Sequence, residues 1–387
     1  MAQLSVGQRS LVGALAVLTT VGYGALYYAQ PLLAVAVEQE RGWTRAQTGL
    51  AFTLALLVSA FLAPLVGRAL DEKGGRKLLS LGALSGSLAF LLLAFTSSSL
   101  PFVFGWLLAG VAMALVFYEA AFTVLGQQMQ GAARTRATLT ITLVAGLAST
   151  IFVPLTTASL GHFGLRGTFL GLAALLLLMV GVAWWGIPAG ERPDKVQTTP
   201  QAFQPDRRFH RLTLAFTLAR VVTVGIGLQL APMLLAAGEN PALAATLTGL
   251  LGLAALPGRV LFVSLLGRVG AWRLTRALCL QLALGSLLLC FRDHLAPIVL
   301  GIIVFGLASG ALTLARAEVL TQGYPAQMFG AANGHLARPV NLAQALTPLG
   351  MGLLLTFTGD CVPSLLLLAL LGLGAAWMLG GGSGNGP

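Results

Sequence analysis

Six ionisable side chains interrupt long apolar runs of this chain: Glu119, Arg220, Arg259, Arg316, Glu318 and Arg338. A charge in the middle of a bilayer costs about 2.5–3.5 kcal/mol on insertion scales, so each is a functional candidate by default. Four guanidinium groups against two carboxylates leave an excess positive field. In a low-dielectric cleft that field favours an anion. Arg259 is the first candidate to hold a substrate carboxylate, because a guanidinium grips a carboxylate at two points; the alternative is a structural ion pair. Arg220, nearer mid-depth than Arg316, is the second. Glu119 follows Tyr118 and is either a carrier of a coupled proton or the fixed partner of Arg316 or Arg220. Arg316 lies near the internal-repeat equivalent of Glu119, so such a pair would close a gate rather than touch substrate. Glu318, two residues from Arg316, falls on another helix face and near a membrane edge, where it is expected to be solvated. Arg338, just before Pro339, reads as a gate or a headgroup contact.

Uncharged polar groups add recognition. Tyr23 and Tyr27 stand one helical turn apart, with Tyr28 and Gln30 beside them; Gln229, Asn341 and Gln344 offer hydrogen bonds. For the tyrosines the alternative is packing or an interfacial belt, which is how Trp184 and Trp185 read.

The elements that position these groups follow from composition. Of 387 residues, 57% are hydrophobic and 9% charged, and the mean hydropathy is +0.86. A soluble domain carries roughly 25% charged residues, so a soluble enzyme and a disordered chain are both excluded. Apolar runs fall at 11–37, 46–66, 77–97, 101–128, 137–160, 166–187, 211–237, 241–266, 274–292, 297–321, 331–357 and 362–380. They are continuous rather than alternating, which argues for helices and against barrel strands. Pro31, Pro154, Pro257 and Pro348 inside them are tolerable where neighbouring helices satisfy the freed backbone groups. The reading is an all-α membrane protein of twelve transmembrane helices in two pseudo-symmetric six-helix bundles. Residues 1–188 form the first bundle, 189–210 a cytoplasmic linker, 211–380 the second bundle and 381–387 a disordered tail.

Charge sets the orientation. Of 23 Lys and Arg, four lie inside runs and only Arg41, Arg45, Arg166 and Arg292 lie in one set of alternate breaks, leaving fifteen in the other. The bias predicts both termini in the cytoplasm of an integral plasma-membrane protein. It also accounts for the formal net charge of +11 without a nucleic acid. Similar stretches in runs four and ten, each starting at a glycine (Gly110, Gly306) and followed by a run with a late proline, suggest a transporter built from repeats.

The break after the second run reads Gly67-Arg-Ala-Leu-Asp71-Glu-Lys-Gly74-Gly75-Arg76-Lys77. Its glycines allow a tight turn, while Asp71 can cap a helix or pair with a base in one conformation and release it in another. This loop closely resembles the G-x-x-x-D-x-x-G-x-[RK] signature of the major facilitator superfamily. The break after run eight, Gly267-Arg268-Val-Gly270, is similar to a second copy without its acid. The resemblance implies alternating access by two bundles about a cavity lined by runs one, four, seven and ten. It further implies a gating role for Gly67, Asp71, Gly74, Arg76, Arg316 and Arg338, a monomer in the lipid bilayer, and a small-molecule substrate. Where antiporters of the family often carry Arg in run four, four residues before a glycine, this chain has Trp106 before Gly110, which argues against drug/proton antiport. Gly42-Trp43-Thr44-Arg45 and Gly258-Arg259 are similar to segments of the monocarboxylate and oxalate–formate branch, where an arginine at the latter place faces a carboxylate.

No G-x-x-x-x-G-K-[ST] phosphate loop, HExxH or GxSxG occurs, so neither ATP-driven transport nor an enzyme is expected, and no cofactor. Cys279, Cys290 and Cys361 form no CxxC and the four histidines no ligand spacing, so no disulfide or metal is expected. The expected function is secondary transport of a small organic anion, a carboxylate, by proton symport or exchange. Arg259, Arg220, Tyr23, Tyr27, Gln229 and Asn341 would contact substrate and Glu119 would couple the proton. The alternatives are proton-coupled efflux of lipophilic compounds and, from another class, a non-transporting membrane sensor.

Overall fold

A computed structural model describes residues 5–189, 203–236, 238, 240–292, 294–325 and 328–380. The centre of the expected linker, 190–202, and the tail 381–387 lie outside the described residues. Every described element is helical: α1 (Val6–Tyr23), a π-turn (Gly24–Tyr28), α2 (Gln30–Arg41), α3 (Arg45–Lys73), α4 (Gly75–Phe95), α5 (Ser99–Val116), α6 (Tyr118–Gln128), α7 (Gly131–Ala145), α8 (Ala148–Gly186), α9 (Arg207–Ala236), α10 (Pro241–Val269), α11 (Ala271–Leu288), α12 (Leu295–Gly323), α13 (Phe329–Thr358) and α14 (Val362–Gly380). Each of the apolar runs holds a helix, and among the described residues nine are long and apolar enough to cross a membrane. One of these, Gly131–Gly186, turns at Gly164, whose φ of 64° leaves the helical region, and so contains two runs.

Local chemistry starts and breaks these helices. Ser5 with Gln8 and Thr44 with Gln47 form reciprocal capping boxes at α1 and α3, each satisfying two backbone donors that a helix start leaves open. Gly42 takes φ 67° to end α2, and Thr44 then starts α3. The Gly42-to-Arg45 segment that resembled one transporter branch thus has a structural task here. Pro31 sits in the first turn of α2; it lacks an N–H and its ring crowds the carbonyl four residues back. The preceding backbone opens into the π-turn. Run four breaks at Phe117, whose extended backbone (φ −80°, ψ −179°) separates α5 from α6.

The chain forms two compact units, residues 1–203 with 324–341, and residues 204–323 with 342–387. The division therefore runs through α13 as well as through the central polar stretch. In the first unit α4 packs on α5 and α8, and α3 on α5. In the second, α12 packs on α10 and α11, and α14 on α11 and α9. Large apolar side chains such as Phe61, Phe104, Leu178 and Leu370 are exposed, as lipid-facing surfaces require.

The repeat has a definite register. A shift of 196 positions carries Gly74 onto Gly270, both with positive φ, and carries Gly110 against Ala55 onto Gly306 against Leu251. It also carries Gly105, seated on Ala89 and Leu93, onto Gly301, seated on Gly285 and Leu289. The same close helix approaches recur because small residues at matched positions let backbones meet.

Candidate functional site

In the first unit the end of α3 meets the start of α13. Asp71 Oδ2 accepts a 2.9 Å hydrogen bond from the Ala331 backbone N–H, in the first turn of α13. Its Oδ1 accepts from Gln127 Nε2 at 3.2 Å, and that amide also donates to the Leu70 carbonyl at 3.0 Å. A carboxylate of one helix therefore caps another, where the helix dipole and open N–H groups favour negative charge. The approach needs glycine: a Cβ on Gly67 would strike the Gly330 carbonyl, and one on Gly330 would strike the Asp71 carboxylate. Gly67 and Asp71 were legible in the sequence; Ala331, Gly330, Gly334 and Gln127 were not. The small-x-x-x-small spacing of Gly330 and Gly334 was the available signal.

The other expected gating residues have distinct surroundings. Gly74 holds φ 75° between α3 and α4. Arg76 Nε donates to the Ile187 carbonyl at 2.7 Å, tying α4 to the end of α8. Arg338 is exposed, its guanidinium 4.9 Å from the Phe61 ring centroid. Arg316 is half-buried on α12. Glu318, expected in solvent, is instead buried at 8% exposure. The correction follows from α12 continuing to Gly323 as packed helix, which draws the expected membrane edge inside the fold.

Glu119 occupies the first turn of α6, and its backbone carbonyl accepts a 3.0 Å bond from Asn333 Nδ2. Beside it lies an aromatic cluster built from the π-turn after α1 and the break at Phe117. Tyr23 stacks on Phe117 at 3.9 Å between centroids and lies 4.8 Å from Tyr118. Tyr27 lies 5.4 Å from Tyr28 and 5.7 Å from Phe52. Trp106, 2% exposed, is core, edge-on to Phe52 and Phe90.

The second unit holds the cations. Arg220, half-buried on α9, directs Nε (3.0 Å) and Nη2 to Oε1 of Gln344 on α13. The group it bonds is thus a neutral amide, which leaves the guanidinium charge available to an anion. Arg259 Nε donates to the Gly310 carbonyl at 3.2 Å. Gly258 before it is needed for helix contact, since a Cβ there would strike the Leu307 carbonyl. Asn341 is half-buried in α13. At the far end of this unit Arg292 Nη1 lies 2.6 Å from Asp360 Oδ1. Residual burial pushes the Asp360 carboxyl up, but the Val362 and Cys361 backbone N–H groups and the Arg292 charge outweigh it and hold the group below the usual carboxylate range.

The family model described as Major Facilitator Superfamily matches residues 15–336. No protein of curated function matches the chain. Among solved structures, that of the human organic anion transporter MFSD10 (TETRAN) is similar, with a TM-score of 0.79 at 17% identity over 96% of this chain and 99% of that one. The proton:xylose symporter XylE bound to 6-bromo-6-deoxy-D-glucose is also similar, with a TM-score of 0.78 at 13% identity over 96% and 95% of the two chains. At these identities the likeness is one of fold.

Proposed function

Because the chain belongs to the major facilitator superfamily, we propose that this integral membrane protein is a secondary transporter moving a small organic anion, a carboxylate, by alternating access. The observation that carries the reading is Arg220, a guanidinium in an apolar helix whose bonds go to neutral Gln344. A fixed structural ion pair would have supplied a carboxylate; a substrate carboxylate takes that place instead. Arg259 adds positive charge, and Tyr23, Tyr27 and Asn341 supply further contacts. One fold neighbour is named an organic anion transporter and another a sugar symporter, so arginine content rather than fold selects the anion.

In this reading the Asp71 cap on α13 is a latch. Capping bonds of this kind are small in energy and reversible, which suits a contact made in one state and broken in the other. Glu119 carries the coupled proton, or the substrate is exchanged. The protein works as a monomer in the plasma membrane with both termini cytoplasmic. The branch near monocarboxylate and oxalate–formate carriers belongs to this proposal, supported by Gly258-Arg259.

A second reading, proton-coupled efflux of lipophilic compounds, is favoured by the aromatic cluster around Tyr23 and the adjacent Glu119. Proteoliposome flux separates the two. Uptake of a carboxylate panel with and without a pH gradient should show anion flux that Arg220→Ala and Arg259→Ala reduce. Flux of a hydrophobic cation alone, lost in Glu119→Gln and spared in the arginine variants, would replace the first reading with the second.

A further inference from the structure

One end of the second unit gathers cations that have no part in the transport proposed above. There α9 and α11 start and α14 ends, and the three helices pack on one another. Arg208 stacks on Trp272, its guanidinium carbon 4.4 Å from the ring centroid. Arg276 reaches the last turn of α14, its guanidinium carbon 3.4 Å from where a Cβ on Gly380 would stand. Arg273 lies one turn before Arg276 on α11. All three arginines are exposed, and among the described residues none of them is in a salt bridge. The single acid in 204–211 and 268–276 is Asp206, whose carboxylate accepts from the Phe209 backbone N–H at 2.8 Å and so caps α9.

The fold itself does not demand these cations. The repeat shift matches Arg276 with Ser80, which is buried, so the first unit builds the same helix start without a charge there. What lies beyond the arginines indicates the partner. The exposed face of α11 runs from Arg273 and Arg276 to Leu280, Leu284 and Leu287 at helical spacing, while Leu278, Leu282 and Ala283 are buried on the other side. On α14, Trp377 is exposed one turn before Gly380. A soluble anion or an acidic peptide would leave the leucine row untouched. Guanidinium groups at the head of an apolar stripe, with interfacial tryptophans beside them, match a phosphate with acyl chains below it.

We propose that this bay binds an anionic phospholipid, with its phosphate held by Arg273 and Arg276 and an acyl chain laid along the α11 leucines. Arg208 adds positive charge; its stem lies against the Trp272 ring while its head stays in water. The proposal needs the bilayer but not the anionic substrate, and its binding is read without transport.

The test measures lipid binding to the purified full-length protein in detergent by native mass spectrometry, with dioleoylphosphatidylglycerol as probe. Wild type should bind it at least tenfold more tightly than dioleoylphosphatidylcholine, which has the same chains and no net charge. Glycerol 3-phosphate, which has the phosphate and no chains, should not compete at tenfold excess. Arg273→Gln with Arg276→Gln should erase the preference. Arg276→Lys should keep part of it, since it retains charge but loses the planar fork. Arg166→Gln, at an exposed arginine of the first unit, should leave affinity within twofold. Equal affinity of wild type for the two lipids would overturn the proposal, as would an undiminished preference in the double variant. Competition by glycerol 3-phosphate would replace the lipid with a soluble phosphate, and an equal loss in Arg166→Gln would replace the site with general surface charge. Should the double variant fail to fold, Arg276→Gln alone decides: an unchanged preference there refutes the site.

Discussion

The α3–α4 and α10–α11 turns are two copies of one piece of chain that differ by a charge. Both keep a glycine at positive φ, Gly74 at 75° and Gly270 at 84°. That backbone is demanded by the turn itself and admits few other residues. The acid differs. Asp71 has a helix start to cap, at Ala331, whereas the repeat shift places Gly267 at the matching position. Symmetric geometry and asymmetric chemistry indicate that the glycine serves folding and the carboxylate serves a contact made by the first unit alone.

Five substitutions break or sharpen this comparison. The largest effect is expected from Gly330→Val, whose side chain would collide with the Asp71 carboxylate. Overpacking typically costs about 1–3 kcal/mol, so transport should fall by roughly tenfold or more while the protein still inserts. Next is Asp71→Asn, which keeps shape and loses charge. Removing an anion from a helix start is worth about 0.3–1 kcal/mol and up to roughly 2. A cysteine introduced at Ala331 should then be alkylated about two- to fivefold faster than with Asp71 present. Gly74→Ala and Gly270→Ala should lower the thermal midpoint by similar amounts, each costing about 1–3 kcal/mol for a backbone of positive φ and extended ψ. A large drop at one and none at the other would show that the two turns are not equivalent. The smallest effect belongs to Gly267→Asp. Placing an acid in the second copy should change transport less than twofold, because among the described residues a Cβ at Gly267 meets nothing within 4 Å.

What could be read from the chain beforehand divides along physical lines. Run positions, turn glycines and the acid of the first loop were legible, because hydropathy and backbone conformation act locally. The partner of Asp71 was not, since a backbone N–H carries no residue signature and Ala331 lies 260 positions away. The break at Phe117 has no proline or glycine at hand to announce it. The π-turn before Pro31 was legible only as a tolerated proline. Glu318 was misplaced because span edges were drawn by hydropathy, while α12 extends past that edge as packed helix. Gln344 was seen as a hydrogen-bonding group, yet its pairing with Arg220 joins helices far apart in sequence and needed coordinates.

The central claim is that Arg220 binds a substrate carboxylate. The direct measurement is equilibrium binding of a transported carboxylate to purified wild type, Arg220→Lys and Arg220→Gln. Truncating one member of a buried charge contact typically costs about 2–5 kcal/mol. Arg220→Gln should therefore weaken binding at least thirtyfold, with Arg220→Lys in between because it keeps charge but loses the planar fork. Unchanged affinity in Arg220→Gln would contradict the account.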